Sequence, residues 1–423
     1  MSRYYYSRRA AYYLGRREQG LPEELFRPRK PGVKAVCIRG PREYSDIPPA
    51  YLEIAQAYAN PWLMGPPLCD ELVDLVEHMF DEDEAQVMRY IKPYRLGKTA
   101  EAIAAELNRP VDEVAAILKH LCEEKCIIMG YGPQDQQSYY FMPLFPGVME
   151  NILFRNSRGG ITPWHKRFAV LFDKLYNTGY IIDYGKHPAE MVRYLPVNQS
   201  IASDARAWPS DRLEEILERF RSFAVTFCQC RMTMDLKGEA CGKPLETCVM
   251  MGGLAEQMVR RGRMRRIDKQ EVLDIKRNAE DHGLVTWIGN VDSIAGSNIS
   301  CSCCGCCCYM LRMTTQFSVP AMIAKPHFLP QHQPSRCRAC GACVRVCQSG
   351  AITFDASYKH RIFNQLRCLG CGLCVGACPH AALELQEASG VKRPPRNALA
   401  YLLRILPNIV KNTLNAVKIH KQR

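Results

Sequence analysis

No stretch of the 423-residue sequence offers the ~18–20 consecutive apolar residues that a membrane-spanning helix requires. The chain also lacks a glycine-rich fingerprint for a flavin or a dinucleotide, since Gly252-Gly253 alone is too little for a phosphate-binding loop. Ser7-Arg8-Arg9 is not followed by the apolar region of an export signal, because charged residues resume at Arg16. These absences predict a cytoplasmic protein.

Acidic residues are missing from one end of the chain and scarce at the other. Residues 391–423 contain eight Lys and Arg and no Asp or Glu, and residues 1–45 contain 11 Lys and Arg against four acids. The two ends together carry more positive charge than the whole-chain +13, so the residues between them are slightly acidic. The body of the protein therefore does not have the uniformly basic character of a nucleic-acid-binding protein.

The basic C-terminal tail contains an amphipathic segment, residues 397–419, whose polar face carries only basic charges and which Pro407 interrupts. Such a helix suits peripheral contact with the cytoplasmic face of a membrane, or an acidic partner protein. The alternative is a tail helix that packs on its own protein.

Cysteine is rare in the first half of the chain and concentrated in the second. Only Cys37, Cys69, Cys122 and Cys126 precede residue 200, and the other 18 of the 22 cysteines form three groups between residues 228 and 378. A chain of this length does not need a disulfide scaffold. The clustering instead indicates metal ligation in a reducing compartment.

The sequence pattern predicts a multidomain α+β protein with a winged-helix-like N-terminal domain, a mixed cysteine-rich central domain and a C-terminal two-cluster ferredoxin-like domain. Its predicted parts are a basic Tyr/Pro-rich extended arm (1–70), the winged-helix-like domain (71–145), the central domain (146–333), the ferredoxin domain (334–390) and the basic tail (391–423).

A third helix, residues 111–124, would be the recognition helix if the winged-helix-like domain bound DNA. It offers the acids Asp112, Glu113, Glu123 and Glu124 against Lys119 and Lys125, whereas a helix that faces phosphates should be basic. DNA is therefore not the expected partner, and a helical packing or interaction module is favoured.

The strongest chemical signal is a repeated motif near the C-terminus, CxxCxxCxxxC. Three cysteines at this spacing wrap around one four-iron cluster, and the fourth cysteine of each motif ligates the cluster of the other motif. One 4Fe–4S cluster is therefore predicted at Cys337, Cys340, Cys343 and Cys378, and a second at Cys368, Cys371, Cys374 and Cys347. The segment resembles bacterial-type two-cluster ferredoxins, except that Gln348 stands where the motif usually has proline.

Ten further cysteines lie in two groups between residues 228 and 308. They are Cys228, Cys230, Cys241 and Cys248 in the first group, and Cys301, Cys303, Cys304, Cys306, Cys307 and Cys308 in the second. Four thiolates suffice for one all-cysteine site, so ten predict one or two additional iron–sulfur clusters. A zinc site and a redox-active thiol patch are the alternatives, because ligand softness does not choose between the metals.

The order of CxCR, CGKPLETC, CSCCGCCC and two ferredoxin motifs resembles a family of anaerobe proteins called 4Fe–4S ferredoxin-type iron–sulfur binding proteins. The resemblance covers residues 72–385, and members of the family tend to begin with a winged-helix-like region. It implies a redox function in anaerobic metabolism and names no substrate.

The sequence therefore predicts an iron–sulfur electron-transfer protein, one component of a larger redox system, that takes electrons from one redox protein and delivers them to another. No catalytic acid–base residue is expected, and an electron carrier or oxidoreductase subunit is favoured over an independent enzyme. Two alternatives stay open. One is an iron–sulfur regulator that binds DNA through the winged helix, and the other is a reductive activase of a corrinoid or radical enzyme.

Overall fold

The computed structural model describes residues 44, 47–93, 97–133, 137–197, 201, 204–317, 319, 322–354 and 361–421. The basic stretch of the predicted N-terminal arm, residues 1–43, lies outside them. The N-terminal half is mainly helical, with α1 Pro49–Tyr58, α2 Asp70–Met79, α3 Glu82–Met88, α4 Ala100–Leu107, α5 Val111–Lys119, α6 Met149–Leu153 and α7 Pro163–Tyr176, and one hairpin of β1 Met129–Tyr131 and β2 Ser138–Tyr140.

Local capping explains several of these boundaries. The Asp81 carboxylate accepts a hydrogen bond from the Glu84 amide, and the Glu84 side chain accepts one from the Asp81 amide, so the two close the first turn of α3 as a capping box. The Thr99 hydroxyl caps α4 by accepting a hydrogen bond from the Ala102 amide. The expected extended arm is helical at α1, whose Ile54 and Tyr58 are fully buried in the core. The winged-helix identity of this region stays a prediction.

The central region is built on a six-stranded antiparallel sheet in the order β3-β7-β8-β5-β4-β6. Its strands are β3 Val192–Tyr194, β4 Phe223–Phe227, β5 Glu246–Gly252, β6 Arg265–Ile267, β7 Val285–Gly289 and β8 Ser297–Cys303. Its helices are α8 Leu213–Leu217, α9 Gln229–Leu236, α10 Gly253–Arg260, α11 Lys269–Asp281 and α12 Tyr309–Thr315.

The sequence predicts one amphipathic helix over residues 211–223, and this prediction is wrong in length. Only Leu213–Leu217 is helical, and Phe223 already starts β4. The segment Phe223–Phe227 is rich in residues that favour strands, and its backbone pairs with both β5 and β6 instead of with a preceding helical turn. The expected inward residues Ile216, Leu217 and Phe220 are nevertheless buried.

Helix α12 anchors the CSCCGCCC cysteine group in the N-terminal core. Tyr309 packs edge-on against Phe172 and Tyr176 of α7, with ring centroids 5.2 and 4.7 Å apart. Arg312 of α12 donates a hydrogen bond to the buried Asp173 carboxylate at 2.7 Å. The helix directly after the CSCCGCCC segment is therefore held by both apolar and ionic contacts.

The C-terminal unit consists of two small antiparallel sheets and two short helices. Strand β9 Phe328–His332 pairs with β12 Leu383–Glu387, and β10 Ile352–Phe354 pairs with β11 Arg361–Phe363. The helices are α13 Ala342–Val346 and α14 Leu373–Gly376. Strand β9 precedes residue 334, where the sequence places the start of this domain.

The tail forms a single helix, α15 Ala398–Lys421, that continues through Pro407. One face packs on the protein: the Tyr401 hydroxyl donates to the Met191 carbonyl at 3.2 Å, and Asn412 exchanges two hydrogen bonds with the backbone of His187. The other face is exposed, with a stripe formed by Leu399, Leu402, Leu403, Leu406 and Leu414. Within the described residues, no helix is long and apolar enough to cross a bilayer.

Candidate metal centres

The first predicted cysteine set surrounds one cavity near the surface. Cys337, Cys340, Cys343 and Cys378, here called the outer quartet, line a space of about 330 Å³. Cys340 is exposed to solvent. The Ala382 amide hydrogen bonds to the Cys378 Sγ at 3.3 Å.

Two half-buried side chains on this cavity have buried nitrogen atoms without hydrogen-bond partners among the described residues. Arg361 and His332 line it, and Arg361 Nε and Nη2 and His332 Nε2 find no hydrogen-bond partner among the described residues. Buried donors without acceptors are costly, and an anionic group inside the cavity would satisfy them. The outer quartet and its surroundings therefore fit an iron–sulfur cluster held by thiolates, whose sulfur atoms accept such hydrogen bonds.

The second predicted set lies deeper. Cys347, Cys368, Cys371 and Cys374, here called the inner quartet, line a separate cavity of about 360 Å³. Burial raises the pKa of the thiols of Cys368, Cys371 and Cys374 to about 12 each. Thiols in such surroundings ionise when a bound metal compensates the charge of the thiolate.

Backbone amides point at sulfur atoms of the inner quartet. The Ala351 amide lies 3.2 Å from the Cys347 Sγ and the Gly370 amide 3.4 Å from the Cys368 Sγ. Gly370 has a positive φ of +68°, and a Cβ there would stand 2.5 Å from the Phe328 carbonyl oxygen. Only glycine fits this position, which explains one of the small residues in the motif.

Gln348 links the inner quartet to the central cysteines. Its Oε1 accepts a hydrogen bond from the Gly305 amide at 3.0 Å, in the middle of the CSCCGCCC segment. A Cβ on Gly305 would lie 2.0 Å from the Gln348 carbonyl oxygen, so the two backbones touch. A proline at position 348 would lack this side-chain acceptor, and the departure from the ferredoxin motif therefore has a structural reason.

The ten central cysteines separate into three sets. Cys241, Cys304, Cys306 and Cys307 form the first, here called the loop quartet, in which all four Sγ atoms lie within 4.8 Å of one another. The Cys306–Cys307 and Cys241–Cys304 sulfur distances are 3.6 and 4.0 Å. Hydrogen bonds from the Cys306 and Cys307 thiols hold the pKa of Cys304 far below its usual value.

The sulfur distances in the loop quartet suit one metal ion. Four thiolates in tetrahedral geometry with bonds of about 2.3 Å place their sulfur atoms about 3.8 Å apart. A four-iron cluster spreads its four thiolates over four irons, so their sulfur atoms lie further apart. For this quartet, geometry favours the zinc-type alternative over an additional cluster.

The other central cysteines form a pair and a second quartet. Cys248 on β5 and Cys301 on β8 stand next to each other with their sulfur atoms 3.4 Å apart. In the remaining four each thiol affects the pKa of the next, in the series Cys228, Cys230, Cys308, Cys303, and the last three of these share one apolar cluster. We call these four the buried quartet.

Two buried cations beside these cysteines were not predicted from the sequence. Arg231 is 2% exposed and Lys276 is 1% exposed. Burial lowers the pKa of Arg231, but the thiols of Cys228, Cys303 and Cys304 outweigh it and raise the pKa above its usual value. Lys276 was detectable, because it shares one helix face with Val272 and Ala279 and so interrupts an apolar stripe.

Comparison with known proteins supports the assignment of the C-terminal unit. Residues 336–382 match the family model of the 4Fe-4S dicluster domain. No curated protein and no solved structure matches the chain. The matched domain and the cysteine groups define an iron–sulfur protein. More specifically, they support an electron-transfer role for it.

Proposed function

We propose that this protein is a component of a larger redox system and carries electrons through two 4Fe–4S clusters, one in the outer and one in the inner quartet. The observation that carries the proposal is the enclosure of two separate cavities by the two predicted cysteine sets within a dicluster domain. A four-iron cluster bound by thiolates exchanges single electrons over a wide range of potentials.

The inner quartet is held rigidly against the central region. Arg367, next to Cys368, donates from Nε to the Ser349 carbonyl at 3.1 Å and from Nη2 to the carbonyl of Thr314, in α12, at 3.0 Å. The Val197 amide donates to the Cys371 carbonyl at 2.8 Å. These contacts hold the inner quartet against the central region, which leaves the outer quartet, with its exposed Cys340, as the side that meets a partner.

The surface around the outer quartet is basic. Arg336, Arg338 and Arg345 are exposed there, and none of them pairs with an acidic side chain among the described residues. Charge complementarity accelerates the encounter of redox proteins and makes it salt-dependent. The partner that fits this surface is an acidic electron-transfer protein.

The exposed leucine stripe of α15 is the second contact surface. It lies beside Lys411 and Lys418, and the tail contains no acidic residue. Apolar residues flanked by lysines suit the interface of an anionic membrane. The tail thus both packs on its own protein and presents a face for peripheral attachment.

DNA binding gains no support from the N-terminal region. Asp112 and Glu113 of α5 are exposed, while the neighbouring Arg109 is engaged in ion pairs with Asp83 and Glu113. Lys125 donates a hydrogen bond to the carboxylate of Glu84, which is almost completely buried. Arg109 and Lys125 are therefore occupied within the protein.

A reductive titration tests the proposed function. Full-length protein, purified and reconstituted without oxygen, is titrated with dithionite and should accept at least two electrons per chain. Cys340→Ser in the outer quartet and Cys371→Ser in the inner quartet should each remove one electron, whereas Cys122→Ser, outside all quartets, should remove none. Uptake of fewer than two electrons by the reconstituted wild type would overturn the proposal.

The partner is tested by stopped-flow reduction of the protein with a reduced acidic flavodoxin. Arg338→Glu should slow the reaction at least fivefold at low salt, and the difference should vanish at about 0.5 M salt because exposed charges are screened. Equal rates at low salt would refute the basic docking surface without affecting the electron count.

A further inference from the structure

The buried quartet is assembled from three separate segments of the central region. Cys228 precedes α9 and Cys230 lies in its first turn, while Cys303 ends β8 and Cys308 precedes α12. Cys228, Cys303 and Cys308 are almost fully buried. The sheet and two helices therefore bring four thiols together in the interior, although 80 residues separate the first from the last.

N–H groups lie against the sulfur atoms of this quartet. The indole Nε1 of Trp287 donates a hydrogen bond to the Cys303 Sγ at 3.1 Å. The amides of Arg231, Tyr309 and Leu311 lie near enough to Cys228, Cys230 and Cys308, respectively, to favour the thiolate form. Donors of this kind stabilise sulfur atoms that carry negative charge.

Two buried cations without carboxylate hydrogen-bond partners lie beside the central cysteines: Arg231 near Cys228 and Cys303 of this quartet, and Lys276 near the Cys301–Cys248 pair and Cys303. Arg231 donates to the Ser302 carbonyl at 2.8 Å and to the Thr247 hydroxyl. Lys276 donates to the carbonyls of Thr247 and Ser300 and to the Ser302 hydroxyl, at 3.1 to 3.3 Å. Buried charges require counter-charges, and the nearest candidates are the cysteines. A thiolate-bound cluster would supply the missing negative charge.

The buried quartet also adjoins the inner quartet. Cys303 and Cys308 share one apolar cluster with Leu369, Cys371 and Tyr194. The Tyr194 hydroxyl is buried there and has no hydrogen-bond partner among the described residues. Apolar side chains thus connect the two sets, which suits electron transfer between them.

We propose that Cys228, Cys230, Cys303 and Cys308 hold a third iron–sulfur cluster, of the four-iron type, placed next to the inner quartet. The role of this third cluster, exchanging electrons with the cluster of the inner quartet, rests on the proposed function. Arg231 acts on both sets, because the thiols of Cys228 and Cys303 in the buried quartet and of Cys304 in the loop quartet all raise its pKa. Cys248 and Cys301 stay outside the cluster.

Acid-labile sulfide tests the inference, because a single metal ion carries none. Full-length protein reconstituted without oxygen should contain about twelve sulfides per chain, against about eight for the two ferredoxin-type clusters alone. Cys303→Ser should lower the count to about eight, and the matched variant Cys248→Ser, a buried neighbour on the same sheet, should leave it at twelve. A wild-type count of eight overturns the third cluster but leaves the proposed function intact, whereas fewer than eight contradicts both.

A second variant distinguishes an effect on the cluster from a general loss of folding. Trp287→Phe keeps all four cysteines and removes only the donor to Cys303, so it should keep about twelve sulfides and lower the midpoint potential of one cluster. Unchanged potentials for all clusters in this variant would contradict the inference, as would a sulfide count in Cys303→Ser equal to the wild-type value.

Discussion

Removing the Arg361 guanidinium should lower the reduction potential of the outer quartet's cluster. The space between the outer-quartet cysteines, about 330 Å³ including its part open to solvent, corresponds to a sphere with a radius of about 4 Å, so a guanidinium on its wall is taken to lie about 6 Å from the centre. At an effective dielectric constant of about 20, one unit charge at that distance contributes about 2.8 kcal/mol. For a one-electron couple this corresponds to about 120 mV.

The direction of the potential shift follows from the positive charge of Arg361. Reduction adds an electron to the cavity, a nearby cation favours the reduced form, and Arg361→Gln therefore makes the potential more negative. We expect a shift of about 60–120 mV, because part of the charge effect is screened by solvent reaching the exposed Cys340. Arg361→Lys, which keeps the charge, should shift the potential by less than half as much.

Potentiometric EPR titration of the full-length protein measures the shift. The control is Arg336→Gln, since Arg336 is an exposed arginine of the same unit whose charge is screened by water. It should move the potential by less than about 30 mV. If Arg361→Gln retained its iron and both potentials stayed within 20 mV of the wild type, the assignment of this guanidinium to the cluster would be refuted.

Three further outcomes follow from individual contacts. Gln348→Pro, which removes the acceptor for the Gly305 amide, should cost about 1 kcal/mol in thermal unfolding and lower the metal content of the loop quartet; unchanged metal content would contradict the link. Burial lowers the pKa of His327, but hydrogen bonds to two carboxylates outweigh it and raise the pKa. His327 therefore stabilises the fold fully below about pH 6.5, and this contribution is lost as pH rises through the raised pKa. His327→Gln should remove that slope in denaturation experiments from about pH 6 to 9, and a persisting slope would exclude His327 as its source. Replacing the half-exposed Leu402 and Leu406 by Asp should weaken binding to anionic vesicles at least tenfold without lowering stability, and unchanged binding would exclude this stripe as the membrane contact.

Local signals in the sequence are sufficient to predict where several helices begin. The caps at Thr99 and Asp268 are of a kind that the sequence alone can indicate, because a cap depends on residues within one turn. The two cysteine sets of the dicluster domain likewise follow from a spacing that is short and repeated. The length of the helix near residue 213 could not be predicted from local sequence, because pairing with neighbouring strands decides where β4 begins.

The division of the central cysteines could not be predicted from spacing. Cys303 and Cys304 are adjacent in sequence but belong to different quartets, because β8 ends between them and the chain turns toward the loop quartet. The partners of Arg361 and Gln348 also depend on tertiary contacts: Gln348 meets Gly305 across 43 residues. Such contacts arise from packing of separate elements and leave no periodic trace in the sequence.

Iron and acid-labile sulfide analysis combined with EPR of the dithionite-reduced full-length protein tests the central claim most directly. The account predicts at least about eight irons and eight sulfides per chain, and a spin-coupled signal from two reduced clusters, since the outer and inner quartets lie in one small domain. Fewer than eight sulfides per chain after anaerobic reconstitution, or zinc in place of iron in the dicluster domain, would contradict it.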